Sequence, residues 1–199
     1  VANNSSIDQV APIFSSATVA TTGLTLTLNY NETLRDPRPP ASAFTVLVNG
    51  SPVTVSSVAA SGNTSSVVLT LSTVVGSGKT VTVAYEAPTA DNATSNAAIQ
   101  DLIGNDAASL AARAITNNST VDQTAPVFSS ASVSSNGLTL TLNYNETLRD
   151  PRAAASAFTV LVNGSPVTVS SVAASGNTSS VVLTLDTVQS NGKTVTVAY

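Results

Sequence analysis

The chain has 199 residues, a formal net charge of -4, 9% charged and 4% aromatic residues, and no Cys, His, Met or Trp. Without His or Cys it lacks the ligands and bases of a conventional zinc site, a thiol nucleophile, a Ser-His-Asp triad or histidine-ligated haem, and seven basic residues are too few for a nucleic-acid footprint. The 42% hydrophobic content is too high for a solvated tail, while no apolar run approaches the roughly 18 residues of a membrane span.

From the N-terminus onward the hydrophobic period is two, the pattern of half-buried strands. A first strand is expected over Phe14–Val19. In the next, Leu24, Leu26, Leu28 and Tyr30 alternate with Thr25, Thr27 and Asn29. Phe44, Val46 and Val48 follow, and Asn49-Gly50 supplies the turn chemistry for a tight hairpin into a strand through Val53 and Val55. Val67, Leu69 and Leu71 form another row, and Val81, Val83 and Tyr85 the next. The tyrosines at 30, 85, 144 and 199 all fall on the inward phase. Residues 86–105 read as a long loop that crosses to the opposite sheet, residues 106–113 as a possible helical turn, and residues 112–116 as the final strand. About seven short strands in ~110 residues match an all-β, immunoglobulin-like Greek-key sandwich.

The unit is repeated. Residues 7–85 superimpose without a gap on residues 121–199, a shift of 114 positions, with roughly 66 of 79 identical. Substitutions concentrate in turn-like stretches: Val75-Gly76-Ser77, for example, becomes Gln189-Ser190-Asn191. Residues 1–6 align in turn with residues 115–120. The expected division is therefore 1–6 as the tail of a preceding repeat, 7–120 as repeat 1, and 121–199 as repeat 2 without its last strand. That pattern leads us to expect a longer tandem array.

Three motifs carry a family resemblance: Asp122-Gln123-Thr124-Ala125-Pro126, Tyr144-Asn145-Glu146-Thr147-Leu148, and Ile99-Gln100-Asp101-Leu102-Ile103-Gly104-Asn105-Asp106. Together with the rest of the chain they resemble the bacterial Ig-like SWM repeats of giant cell-surface proteins. The resemblance implies an extracellular, multi-repeat protein used in adhesion, surface layers or motility, and it implies no enzymatic activity.

The few acidic residues can be weighed one by one. Asp8 and its copy Asp122 sit at repeat starts. Glu32 and Asp36, copied as Glu146 and Asp150, flank the loop after the second strand, and Asp101, Asn105 and Asp106 crowd the last loop. In a Greek-key sandwich these two loops can share one end. Carboxylate, amide and backbone oxygens are the hard ligands Ca²⁺ prefers, so Glu32, Asp36, Asp101, Asp106, Asp122, Glu146 and Asp150 are candidate Ca²⁺ ligands. The alternative is that Asp36 pairs with Arg35 or Arg38 while Asp101 makes an Asx turn. Glu32 with Asp101 is the one conceivable glycosidase pair, but duplication of a whole domain suits mechanical repetition better. Asn-X-Ser/Thr triplets such as Asn31-Glu32-Thr33 leave glycosylation open.

Two non-enzymatic functions remain. One is a rigid spacer or stalk at the cell surface, whose partners are the neighbouring repeats of the same chain. The other is a filament or sheath subunit, in which copies join by donating a strand to the open edge of repeat 2. Neither reading calls for nucleic acid or a membrane span, and any glycan or other surface ligand is left unspecified.

Overall fold

A computed structural model of the chain describes residues 8–36, 39–59, 64–88, 98–150, 153–173 and 178–199, and in it the period-two rows become strands. Two compact units result, Val1–Gln123 and Thr124–Tyr199. Among the described residues both are all-β apart from a single 3-10 turn in each, at Ala41–Ala43 and Ala155–Ala157.

The first unit holds β1 (Phe14–Val19), β2 (Thr25–Tyr30), β3 (Phe44–Val48), β4 (Ser51–Val53), β5 (Val55–Ala59), β6 (Ser66–Leu71), β7 (Val81–Tyr85) and β8 (Leu110–Asn117). The strands join in the order β4-β3-β7-β8-β1-β2-β6-β5, as two four-stranded sheets, β5-β6-β2-β1 and β4-β3-β7-β8, linked through β8. Among the described residues every pairing is antiparallel except one. Strand β8 lies antiparallel to β7 from Leu110 to Ile115, and then its last residues switch sheets and run parallel to β1, Thr116 opposite Thr18 and Asn117 opposite Val19.

Inward rows of both sheets make a continuous core that includes Val19, Leu26, Leu28, Val67, Leu69 and Val83, all fully buried. With no disulfide, this packing holds the unit, at about 1.5–3 kcal/mol for each fully buried aliphatic side chain. Outward positions carry Thr, Ser and Asn, so Thr27 lies between Thr18 and Val68 across the sheet.

Three expectations are corrected. The strand through Val53 and Val55 is two strands: β4 pairs with β3 and β5 with β6, so the chain changes sheets at Thr54. Residues 106–113 form no helical turn, and the strand already begins at Leu110. Alanine's local helix preference is overridden there by the backbone partners that β7 offers. The final strand also does not simply cross to the opposite sheet, because it first returns beside β7. The part of that loop at residues 89–97 lies outside the described residues.

The Asn-Gly turn forms as expected. Asn49 and Gly50 have φ of 49° and 81°, the paired positive values of a tight two-residue hairpin, and Asn49 Oδ1 accepts the Thr80 N–H at 2.9 Å. Past β8 the chain stays on the first unit. Asn117 Nδ2 donates to the carbonyls of Gly76 and Lys79 at 2.9 and 3.0 Å, Ser77 N–H donates to Val121 O at 2.8 Å, and Gln123 Nε2 donates to Val74 O at 3.1 Å. The β6–β7 loop is thus the seat of the outgoing segment, which places the unit's end at Gln123.

The second unit holds β9 (Phe128–Val133), β10 (Thr139–Tyr144), β11 (Thr159–Val162), β12 (Ser165–Val167), β13 (Val169–Ala173), β14 (Ser180–Leu185) and β15 (Val195–Ala198). They form a four-stranded sheet, β13-β14-β10-β9, and a three-stranded one, β12-β11-β15. Leu140, Leu142, Phe158, Val160, Leu183 and Leu185 are its buried centre.

Nearly the same sequence is buried differently in the two units. Val81 and Val83 are buried in β7, but their counterparts Val195 and Val197 are only half-buried in β15. Ala17 is buried in β1, and its counterpart Ala131 is exposed in β9. The first unit has β8 along this rim, whereas among the described residues of the second no strand occupies it. Tyr199 departs from its expected inward place: it is 81% exposed and stacks on Phe158 with ring centroids 5.1 Å apart.

Candidate functional site

The loop after β2 and the loop before β8 meet at one end of the first sandwich. Leu34 forms an isolated antiparallel bridge with Asp101, and Arg35 N–H donates to Gln100 O at 2.8 Å. A second bridge joins Gln100 to Asp106, closing the tip of the later loop. Asn31 fixes the approach of the N-terminal segment, because its Oδ1 accepts the Ile13 N–H at 2.7 Å.

Asp101 organises this end. It is 2% exposed, and its Oδ1 accepts the N–H groups of Ile103, Gly104 and Asn105 at 2.9, 2.6 and 2.8 Å. Its Oδ2 accepts from Asn105 Nδ2 at 2.7 Å. Burial pushes the carboxyl's pKa up, but these donors from Asn105, Gly104 and Ile103 outweigh it and hold Asp101 below the usual carboxylate range. The Asx turn anticipated for Asp101 is therefore present. Asn105 also reaches the N-terminal stretch, donating to Asp8 O at 3.2 Å.

Three carboxylates converge here: oxygens of Asp8, Glu32 and Asp101 lie within 4.8 Å of one another. Glu32 is half-buried, and its Oε1 is a buried atom without a hydrogen-bond partner. Desolvation, and then the charges of Asp101 and Asp8, raise its pKa above the normal value. The group concentrates negative charge at one point and leaves one oxygen unsatisfied, so the donor chemistry fits a hard divalent cation. Asp8, Glu32 and Asp101 would each offer one carboxylate oxygen, with other oxygens needed to reach six.

Of the residues singled out from sequence, the fold brings Glu32 and Asp101 together and adds Asp8. Asp36 is half-buried in the same loop but outside the group, and Asp106 is exposed. Asp122 is exposed on the segment leaving the first unit, whereas its copy Asp8 joins the cluster. Glu146 and Asp150 are half-buried in the second unit, after β10. Arg38 lies outside the described residues.

Two apolar groups seal the floor of this end. Ile99 is buried against the core and donates its N–H to Tyr85 Oη at 2.9 Å. Tyr30 is buried nearby, where desolvation and then Tyr85 push its phenol well above the ordinary range. The matching end of the second unit holds a cleft of about 400 Å³ lined by Tyr144, Leu148, Arg149, Phe158, Val181 and Tyr199, among others.

The sequence matches the family model of the SWM repeat, described as a "Putative flagellar system-associated repeat", over residues 7–90 and 121–199. The chain belongs to this family. No curated protein matches it. Among solved structures it is similar to three of the S-layer protein SbsC: its N-terminal part (16% identity, TM-score 0.42), a longer form (15%, 0.43) and domains 1-6 (13%, 0.44). Each match takes in 94% of this chain, but only 43%, 25% and 25% of the respective SbsC chains.

Proposed function

We propose that the chain is a tension-bearing structural repeat of an extracellular bacterial surface protein, acting as a spacer or stalk and without catalytic activity. Membership of a repeat family and near-identical duplication support a structural role, in which each copy adds reach. The strand order β5-β6-β2-β1 against β4-β3-β7-β8 supports an immunoglobulin-like Greek key as its unit.

One observation carries the reading. The strands at the two ends of the first unit, β1 and β8, run parallel where they meet. Pulling the unit by its ends slides one strand along the other and strains all the bonds between them together. Just past the strand ends, Asn118 N–H to Val19 O at 3.2 Å and Thr120 N–H to Thr21 O at 3.0 Å continue the contact and share the load. An antiparallel terminal pair would instead open one bond at a time. Stretching single molecules by their termini tests this, since forced unfolding is set by the unfolding barrier. A discrete, high-force event for the first unit is expected, and smooth low-force extension would reject the proposal.

Against catalysis by Glu32 and Asp101 stands the state of Asp101, which is buried and has both oxygens already accepting hydrogen bonds.

We propose as a second reading a filament subunit whose copies join by donating a strand to β15 or β9. Regular fibres under the electron microscope would support it, and a strictly monomeric elution over a wide concentration range would oppose it.

We also propose Ca²⁺ at Asp8, Glu32 and Asp101, relieving their mutual repulsion and pinning the loops. Heat released on adding Ca²⁺ and a higher melting temperature at millimolar calcium are expected. Absence of both would remove the ion from the account.

A further inference from the structure

Four Asn-Gly pairs occur in the chain, at 49–50, 136–137, 163–164 and 191–192. All four asparagines are exposed, so burial does not distinguish them. Their carboxamides do.

Asn49 Oδ1 is held by the N–H and hydroxyl of Thr80, 31 residues away, at 2.9 and 3.1 Å. Asn163 is held the same way by Thr194 N–H at 2.9 Å. Asn136 Oδ1 accepts the Leu138 N–H at 2.9 Å and the Ser134 hydroxyl, while the Gly137 N–H is itself bonded to Ser134 O at 2.9 Å. Asn191 differs from these three. Its Oδ1 accepts from Gly192 N–H at 2.9 Å, the amide of the very next residue.

We propose that Asn191 is a site of spontaneous deamidation, selected by the fold from the four. The reaction needs the Gly192 nitrogen to attack Asn191 Cγ. At Asn191 that nitrogen already lies against the side chain, and a rotation about χ2 turns the face of the carboxamide carbon toward it. The other three carboxamides must first break bonds, to Thr80 for Asn49, to Thr194 for Asn163, and to Ser134 and Leu138 for Asn136. In the reaction the Gly192 N–Cγ bond forms, the carboxamide C–N bond breaks, and ammonia leaves with the Gly192 proton. Water then opens the resulting succinimide at either carbonyl, giving aspartate or isoaspartate with no oxidant or reductant. Glycine at 192 keeps the attacking nitrogen unhindered, and its φ of 80° is a conformation that side-chain-bearing residues rarely adopt.

The location gives the change a consequence specific to one repeat. Position 191 corresponds to Ser77, whose N–H holds Val121 O in the first unit. An isoaspartate at 191 inserts a methylene into the backbone of the matching loop, and either product adds a negative charge two residues from Lys193. The first repeat has no asparagine at this position, so its seat for the outgoing segment is exempt.

The test is to incubate the folded 199-residue chain at mildly alkaline pH, digest it, and separate aspartyl from isoaspartyl peptides by chromatography with mass spectrometry. Product at Asn191 is expected at least about tenfold faster than at Asn49, Asn136 or Asn163, the scale on which loss of near-attack geometry slows a reaction. In urea the four rates should converge, and Asn191→Ser should remove the fast product while leaving the other three unchanged. If any tethered asparagine matches Asn191 in the folded chain, or Asn191 stays intact there while reacting in urea, the proposal is overturned.

Discussion

The backbone N–H of Ile99 donates to the phenolic oxygen of Tyr85 at 2.9 Å, and both residues are 1% exposed. Tyr85 ends β7, and Ile99 opens the segment that carries Asp101, so this bond joins the core to the acidic loop cluster. Tyr85→Phe keeps the ring beside Phe44 but leaves a buried N–H without an acceptor. We expect a loss of about 1–3 kcal/mol, read from urea unfolding of the first unit. An unchanged midpoint would mean that the bond is dispensable.

Asp101 should dominate the acid response of that unit. Its folded-state pKa is lowered, so its contribution to stability is fully present above the unfolded value and is lost as pH falls through the folded one. Stability should begin to drop below about pH 5. Asp101→Ala removes the acceptor for three backbone amides and should cost about 2–3 kcal/mol at neutral pH, while flattening the acid limb. Thermal melts of both proteins across the acid range are the check.

Glu32 works in the opposite sense. Its folded-state pKa is raised, so the stability it favours is present at low pH and is lost as pH rises through that pKa, where the ionised carboxylate faces Asp101 and Asp8. Glu32→Gln should therefore stabilise the metal-free chain at neutral pH by on the order of 0.5 kcal/mol. The same variant should lose any melting shift caused by calcium. A variant that still responds fully to calcium would assign the ion to other residues.

Two glycines with similar backbone angles should respond differently to a methyl group. Gly50 has φ +81° and open space around its missing Cβ, so Gly50→Ala should cost only about 1–2 kcal/mol of left-handed strain. Gly23 has φ +72°, but a Cβ there would sit 2.3 Å from Val75 O. That oxygen is backbone in the loop seating the outgoing chain, so Gly23→Ala should cost about 3 kcal/mol or more. Equal melting temperatures for the two variants would contradict this.

Much of the fold could be read from the Leu and Val rows, because a period of two with one buried face admits only a strand, and from Asn49-Gly50, whose positive φ values few other pairs tolerate. The split at Thr54 was hidden, since Val53 and Val55 keep the alternation while the backbone changes partners. The start of β8 was hidden as well: its alanines carry little strand preference, and the pairing with β7 decides their conformation. At the site, Glu32 and Asp101 were legible as acids on loops sharing one end. The inclusion of Asp8 depended on how the N-terminal segment is held by Asn31 and Asn105, which no local pattern encodes.

The proposal that the repeat bears tension rests on the parallel pairing of β1 with β8. Pulling the chain by its termini, alongside Asn118→Pro and Thr120→Pro, measures it directly. Each proline deletes one N–H that bonds across to Val19 or Thr21, at exposed positions outside the core. A clear fall in the first unit's unfolding force is expected for both variants, with the second unit's event unchanged. An unfolding force indifferent to both substitutions would contradict it.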